Sequence, residues 1–227
     1  MTRQMTPRFG LFVSALLLCG AALQTGCEAA DEGEGEVDMS AVEVKAQLED
    51  LAVRTQELED RQAIAATAAC YGRGHDEIFR HLQGDQSVAR TMLSKCHTDD
   101  IKSEVYFFAD PSPMATLDSL DGLIGFIENF AVQSHYTGAR NIVGDIDIQF
   151  TGPDTATMLS ATSTPHFIQG TGDQAGEPTV DVVSARYIDE LVRGKDGAWR
   201  SSKKTLILDE FWRGTGFYPF APPPSAR

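Results

Sequence analysis

The stretch IVGDIDIQFTGPDTATMLSATSTPHFI, residues 142–168, has the pattern of two strands joined by a tight turn, and it is the clearest structural signal in the chain. Apolar and polar residues alternate through 142–150, which is typical of a half-buried strand. The apolar residues expected on one face are Ile142, Ile146, Ile148 and Phe150. Gly152-Pro153-Asp154 supplies the turn, and 156–168 returns as the partner strand. The stretch therefore predicts an antiparallel hairpin.

Strand patterns continue after this hairpin, whereas helical patterns precede it. A second strand pair, 180–193 and 198–209, follows a Gly-rich polar loop at 169–178. Apolar residues at three- and four-residue spacing predict three helices: one over about 40–79, one over 86–95 and one that begins at Asp118 or Ser119. A strand is predicted at 102–109, between the second and the third helix. Helices first and an antiparallel sheet after them predict an α+β fold with the helices on one face of the sheet.

The first 27 residues have the pattern of a bacterial export signal. Arg3 and Arg8 give a basic start, an apolar run covers 9–23, and the small residue Gly26 precedes Cys27. The run is short for a membrane span. Cys27 after Gly26 resembles a lipobox, which predicts a lipid-anchored protein of the cell envelope, on the periplasmic or outer-membrane side. The alternative is an ordinary secretory signal cut nearby and a secreted protein.

The chain after Cys27 divides into four further parts. Residues 28–39 are acidic and predict a flexible tether. Residues 40–56 are predicted to form a helical stalk. Their heptad pattern is weak, which favours a stalk over a coiled coil that joins several chains. A single domain is expected over 57–212, followed by a Pro-rich tail at 213–227.

Charge and cysteine usage narrow the function classes. The net charge of −14 disfavours nucleic acid and anionic lipid headgroups as partners. Cys19 lies in the apolar run, which leaves Cys70 and Cys96 either bridged in a compartment that permits disulfides or as two buried thiols. Neither cysteine has the spacing of a zinc site, so we expect no metal.

Seven short stretches occur in a recognisable order over about residues 57–212. They are 58–64 (LEDRQAI), 70–76 (CYGRGHD), 93–100 (LSKCHTDD), 122–126 (GLIGF), 144–156, 186–189 (RYID) and 196–200 (DGAWR). Their order and spacing resemble the SnoaL-like group of the nuclear transport factor 2-like superfamily. The resemblance implies a cone formed by a curved antiparallel sheet, closed around a pocket by about three N-terminal helices.

The resemblance also implies site residues. Family enzymes of the dehydratase and cyclase type use an Asp–His pair and no cofactor. Asp76, five residues after Tyr71, matches the position of the family's catalytic Asp. His166 matches the position of a histidine that dehydratase-like members carry. Asn141 stands where another family histidine is expected and keeps a hydrogen-bond donor without the titrating group. Tyr71, Phe126 and Tyr187 are candidates for the pocket lining.

Each candidate also has an ordinary structural explanation. Asp76 could be a surface carboxylate at a helix end, and His166 could face solvent or lie in the core. Asn141 could be a plain residue at the start of a strand, and the aromatic residues could be core.

Three functions follow from these expectations. The first is binding of a small apolar molecule in the cone pocket. The second is a lyase or isomerase activity that uses Asp76 and His166 as an acid–base pair. The third is a structural role as a homodimer through the sheet face.

Overall fold

The computed structural model describes residues 41–108, 110–168 and 179–215, the side chain of Thr215 excepted. The predicted signal with Cys27, the tether, the loop at 169–178 and the tail beyond 215 lie outside the described residues. Three helices are described: α1 (Ala41–Arg80), α2 (Ser87–Leu93) and α3 (Leu120–Gln133). None of the helices in these ranges combines the length and the hydropathy that a membrane crossing requires.

Helix α1 is one uninterrupted helix of 40 residues. It passes without a break through residues 56 and 57, where the boundary between stalk and domain is predicted. That boundary stays a prediction. Residues 41–59 are exposed, and the first buried position is Asp60. Helix α3 begins where Ser119 caps it, since the Ser119 hydroxyl accepts a hydrogen bond of 3.0 Å from the backbone N–H of Gly122.

In the described part of the chain, seven strands form one curved, unclosed sheet. In chain order they are β1 (His97–Phe107), β2 (Ala115–Leu117), β3 (Gly138–Ala139), β4 (Ile142–Gly152), β5 (Thr155–Ile168), β6 (Thr179–Arg193) and β7 (Trp199–Thr215). The sheet order is β2-β1-β7-β6-β5-β3, and β4 also pairs with β5. The predicted α+β cone fold is therefore confirmed.

The sheet is mixed where the sequence predicts a wholly antiparallel one. Strands β1 and β7 run parallel, and the other described pairs are antiparallel. Because the rest of the sheet lies between β1 and β7 in the chain, no hairpin turn fixes their relative direction.

The predicted apolar face of β4 is interrupted by a bulge. The β4–β5 register shifts between Gly144 and Asp147, and Asp145 has a positive φ of 46°. Val143 before the bulge and Ile148 after it pack on the same core cluster, whereas Ile142 is exposed. An extra residue reverses the alternation of side chains, so no uniform period-two pattern could describe this strand.

The core has two parts on the side of the sheet that faces the helices. The larger part lies between α1, α3 and the middle of the sheet and includes Tyr71, Leu123 and Leu206. The smaller part joins Ile64 of α1 to Trp199 at the start of β7.

Asp60 fixes α1 to the sheet beside this smaller cluster. Its carboxylate accepts hydrogen bonds from Arg193 and from the Trp199 indole N–H at 3.1 Å. The Arg193 guanidinium also lies 4.7 Å from the centre of the Trp199 ring. Burial raises the pKa of Asp60, but hydrogen bonds from Arg193 and Trp199 and the charge of Arg193 outweigh it and lower the pKa.

Replacing Asp60 by Ala should lower the free energy of unfolding by about 3 kcal/mol, because it leaves Arg193 and the Trp199 indole N–H without their carboxylate. Asp154 is the matched control, since it also contacts Arg193, at 3.1 Å, but is 68% exposed. Asp154→Ala should cost less than about 1 kcal/mol in urea unfolding followed by circular dichroism. Equal losses for the two variants would contradict an anchoring role for Asp60.

Candidate functional site

A cavity opens between α1, α3 and the middle strands of the sheet. Its wall is largely apolar and includes all three residues that the resemblance proposes as lining: Tyr71, Phe126 and Tyr187. The volume of the cavity is about 60 Å³, which is room for about two water molecules and less than a ring-sized ligand needs on its own.

The cavity adjoins a wider open groove of about 530 Å³. Phe130, Val183 and Leu208 contribute to the walls of both. The groove also has aromatic and charged sides, formed in part by Phe211 and Arg213. A ligand larger than the cavity can therefore extend into the groove.

Two histidines form the main polar part of the cavity wall. His75 of α1 and His166 of β5 are both buried, and their ring centres lie 6.1 Å apart. The Nδ1 atoms of both rings have no hydrogen-bond partner among the described residues. The Asp76 carboxylate is 3.7 Å from His75 Nδ1, which is too long for a hydrogen bond. Each imidazole thus has unused hydrogen-bonding capacity.

His166 is held by a polar chain that runs from the buried Tyr136 and Asp181 to the exposed Arg213. The Tyr136 ring stacks on His166 with 4.5 Å between the ring centres, and its hydroxyl donates to Asp181 at 3.0 Å. Arg213 donates to both oxygens of Asp181 at 2.7 Å. Burial, and then the nearby charge of His75, lowers the pKa of His166 to about 3. His166 is therefore an uncharged imidazole at neutral pH.

Asp76 and Asn141 lie behind the wall rather than in it. Asp76 Oδ1 accepts a 2.6 Å hydrogen bond from the backbone N–H of Asn141, and Arg140 lies 3.5 Å from its other oxygen. The Asn141 side chain donates to the Tyr187 hydroxyl at 3.1 Å and accepts from Thr162 at 2.9 Å. Asp76 thus holds the start of β4, and Asn141 positions Tyr187.

The structure brings His75, rather than Asp76, to the cavity beside His166. The two neighbours on α1 differ by about 100° around the helix axis, so only one of them can face the cavity. The sequence does indicate that His75 faces the interior, because it follows Tyr71 by four residues on the apolar stripe of the helix.

A buried ion pair lies beneath Tyr71 and Tyr187. Lys204 Nζ, on a residue that is 1% exposed, donates to both oxygens of Asp189 at 2.9 and 2.8 Å. It also lies 4.3 Å from the centre of the Tyr71 ring and 4.5 Å from that of Tyr187. Burial, followed by the charge of Lys204, lowers the pKa of His97 to about 4. Nothing in the sequence pattern distinguishes Lys204 from a surface lysine of a strand.

Cys70 of α1 and Cys96, directly before β1, form a disulfide with 6.2 Å between their Cα atoms. The bond lies next to Tyr71 and His97 in the chain and joins the helix to the sheet. Among the residues that the structure describes, no group of three or more His, Cys, Asp or Glu side chains could hold a metal ion.

Comparison with known proteins agrees with this architecture. The family model of the SnoaL-like domain matches residues 56–205. No curated protein matches the chain.

Solved structures resemble the chain over most of its length. Hexachlorocyclohexane dehydrochlorinase LinA-type3 from Novosphingobium barchaimii LL02 has a TM-score of 0.54 at 18% identity, over 75% of this chain and 99% of that one. A protein from Novosphingobium aromaticivorans DSM 12444, provisionally assigned as a scytalone dehydratase, has a TM-score of 0.52 at 15% identity, over 77% of this chain and 99% of that one. At these identities the likeness shows the fold alone.

The pKa values of His97 and His166 predict a pH-dependent stability. In the unfolded chain both imidazoles bind a proton near pH 6.5. In the folded chain His97 does so only near pH 4 and His166 only near pH 3. The unfolded state therefore holds more protons between these limits, and stability falls as the pH drops below about 6.5. Each histidine should contribute up to about 1.4 kcal/mol per pH unit in urea unfolding. A variant with both His97→Gln and His166→Gln should flatten the slope between pH 6.5 and 4, and an unchanged slope would contradict the assignment.

Proposed function

Because the chain belongs to the SnoaL-like domain family, we propose that its cavity, together with the adjoining groove, binds a small, uncharged and largely apolar molecule. The observation that carries the proposal is an apolar cavity whose wall includes the buried imidazoles of His75 and His166, each with an Nδ1 atom that has no hydrogen-bond partner among the described residues. Buried polar atoms of this kind are rare in folded proteins and call for an explanation. Apolar walls with a few converging polar groups are the usual composition of a ligand site.

The lining also indicates the chemical class of the ligand. Aromatic side chains such as Phe126, Phe130 and Tyr187 suit a flat ring. The uncharged His166 imidazole can accept a hydrogen bond at one nitrogen and donate at the other. A charged ligand would lose its hydration with no opposite charge free to compensate, because Lys204 and Asp181 are already paired. A ring that carries one hydroxyl group fits these conditions.

Acid–base catalysis is the second candidate. It is supported by the two neighbouring imidazoles and by the fold shared with a hexachlorocyclohexane dehydrochlorinase. The low pKa of His166 argues against it, because a general base works best when its pKa is near the working pH. Asp76 is turned to the Asn141 backbone and Arg140, away from the cavity. Binding without turnover is therefore the preferred function.

Phenol, toluene and benzoate test the binding proposal, since the three share a ring and differ in polarity and charge. Phenol should bind more tightly than toluene, and benzoate should not bind, in isothermal titration calorimetry at pH 7. His166→Phe should weaken phenol about 3- to 10-fold, the value of one hydrogen bond, and leave toluene unchanged. His81→Phe is the matched control, because His81 is outside the cavity wall. Absence of binding for both phenol and toluene would overturn the proposal.

We also propose that the protein is exported and anchored in the cell envelope through a lipid on Cys27. The support is the basic start, the apolar run and the small residue before Cys27 in the first 27 residues. An acidic segment at 28–39 would then separate the domain from the membrane surface.

Metabolic labelling with radioactive palmitate tests the anchor in a bacterial host. The full-length chain should carry the label and sediment with membranes, and Cys27→Ser should lose both properties. Cys19→Ser is the matched control, because Cys19 lies within the apolar run, and it should keep the label. Label retained on Cys27→Ser would contradict lipidation at this residue.

A further inference from the structure

The first half of α1 extends beyond the domain and carries an apolar seam. Residues 41–59 are exposed throughout. The seam consists of Val44, Leu48, Leu51, Thr55 and Leu58, and its three leucines are 61%, 58% and 68% exposed. Because most of the stability of a helix in a protein comes from packing of its apolar face, a partner on the seam would stabilise this half of α1.

The spacing of the seam is that of a two-stranded coiled coil. Its residues are separated by steps of four, three, four and three, which places Leu48 and Thr55 at a positions and Val44, Leu51 and Leu58 at d positions. Leucine at d is typical of parallel dimers. The sequence alone favours a stalk over a zipper, because two or three heptads are few.

The structure adds the direction in which the seam points. The face of α1 that packs on the domain contains Asp60, Ile64 and Tyr71. At about 100° per residue, the seam lies on roughly the opposite side of the helix, and it continues into the domain through the exposed Gln62 and Ala69. A second helix can therefore lie along the seam without meeting the domain that α1 carries.

We propose that a second copy of this chain occupies the seam and that the two α1 helices form a parallel coiled coil. Charge complementarity supports a second copy in this orientation. Arg54 flanks the seam at a g position, and Glu59 lies five residues later at an e position, so each Arg54 faces Glu59 of the other helix. Within its own chain Arg54 has a loose pair with Asp50 at 3.9 Å, and both side chains are largely exposed. The inference is independent of ligand binding in the cavity.

The sheet face is the competing interface. Leu159 of β5 and Ile188 of β6 are paired across the two strands and are both exposed. A dimer through this face would leave the α1 seam uncovered. Variants on the two surfaces therefore distinguish the two assemblies.

Light scattering coupled to size-exclusion chromatography tests the seam on the full-length chain. The wild type should have the mass of a dimer, and a Leu51→Asp, Leu58→Asp double variant should have half that mass. Val53→Asp is the matched control, because Val53 is 67% exposed but lies on the other side of the helix. This control and Leu159→Asp should both remain dimers. A monomeric wild type, a dimeric double variant or a monomeric Leu159→Asp would overturn the proposal.

Cysteine crosslinking tests the parallel orientation in a chain with Cys19→Ser and Cys27→Ser. Leu58→Cys should form a disulfide-linked dimer under mild oxidation, because the two copies of a d residue meet in a parallel pair. Val53→Cys should not. Thermal unfolding by circular dichroism verifies that each variant is folded at the temperature used. Failure of Leu58→Cys to crosslink while the mass remains that of a dimer would overturn the parallel arrangement.

Discussion

The ion pair between Lys204 and Asp189 is the constraint on which the cavity and the helix packing depend. Burial of two charges costs several kcal/mol each, so such a pair persists only where the geometry compensates. Here the ammonium contacts both carboxylate oxygens, and the Ser201 hydroxyl donates to Asp189 at 2.6 Å. The Tyr71 and Tyr187 rings enclose the ammonium. Because Tyr71 belongs to α1 and Tyr187 to β6, one charge fixes the helix on the sheet and shapes the cavity floor.

The polar groups near the site fall into two sets: one set lies behind the cavity wall and supports it, and the other faces the cavity. Asp76 and Asn141 hold the start of β4 and the Tyr187 hydroxyl from behind. The cavity wall itself receives the imidazoles of His75 and His166. The charged groups nearest the cavity, Lys204 and Asp181, are already paired, which supports the proposed recognition of an uncharged ligand. A shared fold does not fix the chemistry of its site, which depends on the side chains that line it.

Most of the elements could be predicted from local pattern. The hairpin of β4 and β5 follows from alternation and the Gly152-Pro153-Asp154 turn, and the β5 prediction of 156–168 differs from the structure by one residue. Longer strands were underestimated, since β1 begins at His97 and β7 continues to Thr215. The added residues mix polar and apolar side chains without a regular alternation, and they are ordered by pairing with distant strands that no local window contains.

The α+β class and the order of helices and hairpins follow from the sequence, and the family resemblance proposed four residues that line the cavity in the structure: Tyr71, Phe126, His166 and Tyr187. Periodicity and a family resemblance suffice for these, because both are read along the chain. The tertiary structure alone decided that His75 rather than Asp76 faces the cavity, and that Lys204 is paired with Asp189 beneath it. Such outcomes depend on the rotation of a helix against a sheet and on contacts between strands. Those are set when the whole core packs, and no segment of the sequence encodes them separately.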